Sequence, residues 1–397
     1  MIRTDTYFNS CGFLPELELL CLCSQKSVSI EDIKAVAELT DQALDWERFC
    51  RLVKKHRVYP SVYKNLMEIE NIHKDEQALT YLKQLCTVNT MNSLKLTKEL
   101  CRIAAAFEKQ GVRMISFKGP ALAMSVYHSV SSRVSRDLDM LVDQKEWHEA
   151  VDVLSGLGFV SDKSLAELSP KQLAYCKKRL HHLGYIGDGI TLELHWRFEV
   201  SDDRFDFEKV WANKSDMDLF GTKIHVLNPE ENFLYLVFHG SKHAWKRLRW
   251  LNDIAELIRE NLLDWDYIQN ESVKRKQEYM MIQALILSQA LYGTELPPEL
   301  IGQTRETVLA RQLSLLCIPF FESAEEDEEQ RTLYLQIKKY GFLWKRGLQK
   351  KHSYFMAHVT PTLNEFTAYK IPDRFFGLYY FIRPFNIIKK LISRKIK

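Results

Sequence analysis

Apolar positions along the first 110 residues recur at helical spacing. Pro15 to Cys23 is an apolar run, and Ser29-Ile30-Glu31-Asp32 opens the next helix with an N-cap serine. Asp45-Trp46 leads into Phe49, Leu52, Val53 and His56, spaced for one buried face, so Trp46 and His56 read as core packing. Arg57-Val58-Tyr59-Pro60 ends that run, because the residue before proline is pushed out of the helical region. Residues 75–110 read as one or two long helices, with Gly111 as the C-cap.

The period then changes. Val112 to Phe117 is a buried strand, broken by Lys118-Gly119-Pro120, with a helix from Ala121 to Tyr127. After a Ser-rich loop, Arg136-Asp137-Leu138-Asp139-Met140-Leu141-Val142 is an apolar strand interrupted by two acids. Gln144 to Leu157 is a helix with Trp147, Ala150, Val151 and Leu154 inward, and Phe159-Val160 a short strand. Residues 162–180 are polar and lysine-rich, a loop with a helix from Pro170. Asp188-Gly189 between His181–Gly187 and Ile190–Trp196 is a hairpin signal, and Lys223 to Leu227 supplies a last strand. From Pro229-Glu230-Glu231 the helical period returns, with further helices at about 249–261 and 275–292. Pro297-Pro298 breaks the chain, and Glu322 to Glu329 reads as a solvated acidic loop. This order predicts an α+β protein: a mixed-sheet core at 111–228, between helical domains at 1–110 and 229–397.

Composition changes this picture little. The 397 residues suffice for two or three domains, and the net charge of +3 makes no global demand for nucleic acid. Eight scattered cysteines without a Cys-x-x-Cys pair are expected to be reduced thiols. The start of the chain has no charged stretch leading into an apolar core, and no apolar run reaches the roughly 18 residues a membrane span needs. The expected location is cytoplasmic.

The candidate chemistry lies on the acidic strand. Side chains alternate along a strand, so Asp137 and Asp139 share one face while Leu138 and Met140 share the other. Two carboxylates so placed repel each other unless a positive charge sits between them, and a divalent cation is the obvious candidate. The stretch from Val112 to Val142 resembles the DNA polymerase β-like nucleotidyltransferases, whose signature is strand, glycine turn, helix and Asp-x-Asp. More closely it is similar to a bacterial family of uncharacterised nucleotidyltransferases, which pairs Lys-Gly before the helix with Arg-Asp-Leu-Asp-x-Leu-Val after it. Lys118-Gly119-Pro120 stands here where the wider superfamily carries Gly-Ser or Gly-Gly. The resemblance covers about residues 15–260, and 260–397 only loosely.

The resemblance implies a third carboxylate on a neighbouring strand. Glu193 is that candidate: it alternates with Leu192 and Leu194, shares a face with Thr191 and His195, and precedes Leu194-His195-Trp196 as the family's acid-Leu-His-Trp does. It also implies the reaction, transfer of a nucleoside monophosphate (AMP foremost) from a nucleoside triphosphate to a hydroxyl, with pyrophosphate leaving. Two Mg²⁺ ions about 4 Å apart would serve it, with Mn²⁺ as the alternative ion. Asp137 and Asp139 are then assigned to both ions and the nucleotide, and Glu193 to the acceptor-side ion and the acceptor hydroxyl. Lys118 and Gly119 sit where the superfamily's turn approaches the β- and γ-phosphates, and Arg133 and Arg136 flank the acids. The segment from His239 to Asp253 matches the family's His-Gly, basic-aromatic cluster and Trp-Leu-x-Asp. It is expected to close the cleft, with His239, Lys242 or Arg247 toward the nucleotide and Asp253 holding Arg247 or a histidine. His239 and His243 share a helix face, but without a His-Glu-x-x-His pattern zinc is not favoured. His181 and His182, adjacent on a strand, face opposite ways, so one at most reaches the site.

The acceptor implied is a small molecule, glycan, peptide or protein rather than nucleic acid. The contrasting reading is a catalytically silent nucleotide-binding or scaffold protein on the same fold. The basic, aromatic tail from Arg374 is a candidate for peripheral membrane contact.

Overall fold

A computed structural model describes residues 12–161, 168–198, 206–260, 263–296, 304–324, 331–344 and 359–393, with 300 and 356. The Pro297-Pro298 break, most of the acidic run, Cys11 and the last four residues of the tail lie outside them.

Seven strands form one mixed sheet: β1 (Met114–Ser116), β2 (Asp137–Val142), β3 (Val160–Ser161), β4 (His182–Gly187), β5 (Ile190–His195), β6 (Ser215–Leu219) and β7 (Thr222–Val226). Their order is β3-β4-β5-β2-β1-β7-β6, which puts the acidic strand at the centre. With helices before and after it, this is the α+β architecture the sequence predicts.

Alternation on β2 and β5 decides which face carries the acids. Leu138, Met140 and Val142 join Leu192 and Leu194 in an apolar layer, closed by Leu96, Leu100, Ile103 and Phe107 of the long Glu76–Lys109 helix. Asp137, Asp139, Glu193 and His195 therefore turn to the opposite face. Parallel pairing of β2 with β5 sets Asp139 directly beside Glu193. The β4–β5 turn is Asp188-Gly189, both at positive φ (49° and 68°), which suits a two-residue hairpin.

The N-terminal helices follow the pattern closely. Pro15–Cys23 has the predicted bounds, and Ser29 caps Ile30–Thr40 by accepting from the Asp32 N–H. Asp45 caps Trp46–His56, whose Phe49, Leu52, Val53 and His56 are fully buried. That helix ends because Arg57 adopts the left-handed conformation (φ 58°). Pro60 does not break the chain: it sits in the first turn of a further helix, Tyr59–Glu68, where its missing N–H is no loss. Residues 75–110 give a single helix of 34 residues. Leu17, Phe49 and Leu52 share one apolar cluster with Phe233, Ile254 and Leu285, so helices from both ends of the chain meet.

Among the elements beyond those expected are one strand and one helix near the sheet and its C-terminal cover. β6 forms the sheet edge, and Trp265–Arg275 is a helix of its own before Glu278–Tyr292. No disulfide occurs among the described residues.

Candidate active site

Asp139 is the centre of the site. It is 2% exposed, and its Oδ1 accepts from the Lys118 Nζ at 2.7 Å. His195 Nε2 lies 3.3 Å from the same oxygen and 3.2 Å from Glu193 Oε2. Asp139 Oδ2 is buried and has no hydrogen-bond partner among the described residues. Asp139, Glu193 and His195 each offer a donor atom within 4.8 Å of the others, a group that could hold a metal ion. Asp137 stands one pleat earlier on the same side, half-buried, and feels the charges of Asp139, Lys118 and Glu193.

These contacts set the charge states. Burial alone would raise the Asp139 carboxyl, but the Lys118 ammonium and the His195 N–H hold it well below the ordinary carboxylate range. Burial likewise disfavours the Lys118 cation, and Asp139 with the Tyr235 hydroxyl outweighs it, so Lys118 stays charged. Asp137 moves the other way: burial and the neighbouring Asp139 anion raise it, partly offset by Lys118. Burial also works against the Glu193 anion, but its bond to His195 brings it below its usual value. The strand thus carries one carboxylate held ionised by a lysine and one that protonates early as pH falls.

Lys118 precedes the Gly119–Tyr127 helix, whose first turn no side chain caps. Gly119 is needed there for two reasons. Its φ is +61°, and a Cβ would lie 3.1 Å from the Asp137 carbonyl oxygen. The glycine therefore lets the turn lie against the start of β2 and aim Lys118 at Asp139.

A wall of rings closes the site. Phe117 meets His195 at 5.0 Å and Tyr235 at 4.9 Å between centroids. Tyr235 and His239 belong to the Pro229–Lys242 helix, one turn apart, and His239 also contacts His243 and Trp250. Gly240 explains the His-Gly pair. Trp245 folds back onto it, and a Cβ on Gly240 would lie 2.0 Å from that indole. Ala244 and Trp245 both take positive φ (53° and 50°) to make the fold-back.

The predicted cations other than Lys118 scatter. Lys242 is half-buried and its charge helps depress His181 and His243. Arg247 lies over the Trp250 ring, 5.9 Å from its centre. Arg136 is exposed and is felt at Tyr59. Arg133 is buried and clamps Asp253 through Nε and Nη2, each at 2.8 Å, with the Tyr127 hydroxyl donating to Asp253 at 3.0 Å. Asp253 thus holds Arg133 and Tyr127, where Arg247 or a histidine was expected. Arg249, not singled out from sequence, donates to the Val134 carbonyl and contributes to the field at Asp137.

The histidines of the hairpin also depart from expectation. His181 lies just before β4, so strand alternation does not govern it, and it lies against His182 and His195 at 4.5 and 5.8 Å between ring centres. All three imidazoles offer donor atoms within 4.8 Å of one another. Like Arg249, His195 and Tyr235 had no assigned role from the sequence. The alternation Glu193-x-His195 held the signal for His195. Tyr235 has no such mark, being one aromatic among several on an apolar helix.

A further Asp-x-Asp occurs at Asp216 and Asp218 on the edge strand β6. Asp216 is answered by Lys223 at 2.8 Å and by His225, and its paired neighbour β7 carries no carboxylate. At the centre of the sheet the same motif has a third carboxylate beside it, since Asp139 pairs with Glu193.

Comparison with known proteins gives a family. The family model described as uncharacterised nucleotidyltransferase matches residues 42–293, which contain every element of the site. Among solved structures, an antigenic nucleotidyltransferase-like protein from Paracoccidioides brasiliensis matches at 13% identity and a TM-score of 0.33. That match covers 53% of this chain and 97% of the other, a likeness too loose to carry chemistry from one to the other. No curated protein gives a significant match.

Proposed function

This chain belongs to the uncharacterised nucleotidyltransferase family, and we propose that it is a metal-dependent enzyme moving a nucleoside monophosphate from a triphosphate to a hydroxyl acceptor. The observation that carries this is the register of β2 and β5, which sets Asp139 beside Glu193 on the face shared with Asp137.

The residues fit a divalent ion. Asp139 Oδ2 is a buried acceptor with no hydrogen-bond partner among the described residues, and Glu193 and His195 complete a donor group around it. Asp137, Asp139 and Glu193 would hold Mg²⁺; the imidazole nitrogen also admits Mn²⁺, which accepts mixed nitrogen and oxygen ligands. Such an ion supplies charge neutralisation at the phosphates and polarises the attacking oxygen.

The remaining work belongs to side chains. The acceptor oxygen forms a bond to the α-phosphorus as the α–β bridging P–O bond breaks, and pyrophosphate leaves. Glu193 receives the hydroxyl proton, oriented by His195. Lys118 and Lys242 bring positive charge toward the triphosphate, and Arg249 supplements it beside Asp137. His239 and the aromatic wall limit water. AMP is the proposed group, and Arg133 is assigned to support of the fold.

The test is transfer of label from α-labelled nucleoside triphosphates in Mg²⁺ or Mn²⁺, across hydroxyl acceptors from sugars to peptides. Asp139→Asn, Asp137→Asn and Glu193→Gln are each expected to reduce transfer by about 10³-fold or more. Equal labelling by wild type and all three variants would reject the proposal.

A further inference from the structure

The C-terminal helix Tyr379–Ser393 has two unlike sides. One side is anchored. Tyr379 is fully buried, with its hydroxyl donating to the Tyr369 carbonyl and accepting from Gln172 at 3.1 Å. Arg383 reaches Glu365 at 3.1 Å. Tyr379 packs with Phe366, Phe376 and Cys176 in a cluster of their own, tying the tail to the Pro170–Arg179 helix.

The other side is apolar and bare. Phe381 is 77% exposed, Phe385 65% and Ile388 54%. They stand at i, i+4 and i+7, one stripe of a helix. Leu378 and Phe375, each 50% exposed, extend the patch back toward the preceding turn. Because Tyr379 and Arg383 fix the opposite side, the stripe is held outward by the fold. Exposed rings in such a row mark a surface that meets something apolar.

Charge identifies what that is. Residues 374–397 carry seven Lys and Arg and no Asp or Glu, although the whole chain nets only +3. One of the seven, Arg383, is paired inward. Arg374 and Lys389 flank the exposed rings, and the sequence beyond adds Lys390, Arg394, Lys395 and Lys397. A second copy of this chain would set the same cations opposite each other across a twofold contact, which is repulsive. No helix among the described residues is long and apolar enough to cross a membrane, so the stripe would lie in an interface rather than span one.

We propose that the tail helix docks on an anionic lipid bilayer, with Phe381, Phe385 and Ile388 in the headgroup–acyl boundary and the flanking cations over the lipid phosphates. Docking leaves the Asp139 face untouched, since none of the described tail residues contributes to that site. This reading is therefore independent of nucleotidyl transfer.

The experiment is co-sedimentation of the full chain with vesicles of phosphatidylcholine alone, and of phosphatidylcholine mixed with phosphatidylglycerol. The full chain is expected to pellet with the anionic vesicles and to be released by added salt. Phe381→Asp/Phe385→Asp is expected to lower the bound fraction at least tenfold. Both side chains are exposed, so its thermal unfolding should match the wild type. A Lys389→Glu/Lys390→Glu variant should lose binding to anionic vesicles as well. Absence of binding to anionic vesicles, equal binding to neutral ones, or binding unaffected by the Phe variant would overturn the proposal. So would a dimer in solution that the Phe variant splits, because the stripe would then belong to a second copy.

Discussion

At the scale of single residues, the site is an ion pair enclosed by rings. Lys118 and Asp139 are 2.7 Å apart with little solvent around either. Removing one partner of such a pair strands the other charge. Lys118→Met is expected to destabilise the fold by about 3 kcal/mol, read from urea unfolding. Adding Asp139→Asn should recover most of that loss, whereas two additive losses would show that the pair is not coupled. Acid acts through the buried histidines. His56 accepts from the Leu248 N–H at Nδ1 and donates from Nε2 to the Phe321 carbonyl at 2.9 Å, so it is held neutral. Burial, then the nearby Lys55 charge, pushes it down to about 3, and His182 falls to about 4, again chiefly through burial. In the unfolded chain these imidazoles take up protons below about pH 6.5. The unfolded state then binds more protons than the folded one, so stability falls as pH drops through that window. His56 alone should cost about 2 kcal/mol at pH 5, visible as an earlier urea midpoint. An unfolding midpoint that is flat from neutral pH to pH 5 would contradict it.

At the scale of elements, the glycines show how the backbone aims the site. Gly119→Ala places a Cβ against the Asp137 carbonyl in a left-handed conformation and is expected to cost about 2 kcal/mol. It should also weaken nucleotide binding by displacing Lys118. Gly240→Ala meets the Trp245 ring far more severely and should cost at least about 3 kcal/mol, because a buried indole has no room to yield. A melting series that ranked the two in the opposite order would count against this reading of the turns. The same elements show what the sequence could disclose. The hairpin at Asp188-Gly189 and the alternation of Asp137, Asp139 and Glu193 were legible because both depend on local geometry and a period of two. That the two strands pair in parallel, in the one register that unites Asp139 and Glu193, is a tertiary fact. β6 was hidden because Ser-Asp-Met-Asp-Leu carries acids that strands usually avoid, tolerated here at an edge where Lys223 and His225 answer Asp216. Pro60 misled for a related reason: the first turn of a helix accepts proline as readily as a helix end does. The engagement of Arg133 by Asp253, 120 positions apart, left no trace in spacing.

At the scale of the whole molecule, the sheet does not stand alone. Ile115, Phe117 and Leu141 belong to the same apolar cluster as Leu17, Phe49, Ile254 and Leu285, and Tyr235 and His239 reach the site from a helix beyond residue 228. Residues 111–228 expressed alone are therefore expected not to give a cooperative unfolding transition, which calorimetry would check. A folded, cooperative fragment would show that the helices on both sides are appendages. The acids of β2 and β5 are proposed as one centre where a divalent ion and a triphosphate meet. Calorimetric titration of a nucleoside triphosphate into the full chain, with and without Mg²⁺, tests it most directly. Binding is expected to need the ion and to weaken at least about tenfold in Asp137→Asn/Asp139→Asn. Binding of equal strength in that variant, or indifferent to Mg²⁺, would contradict it.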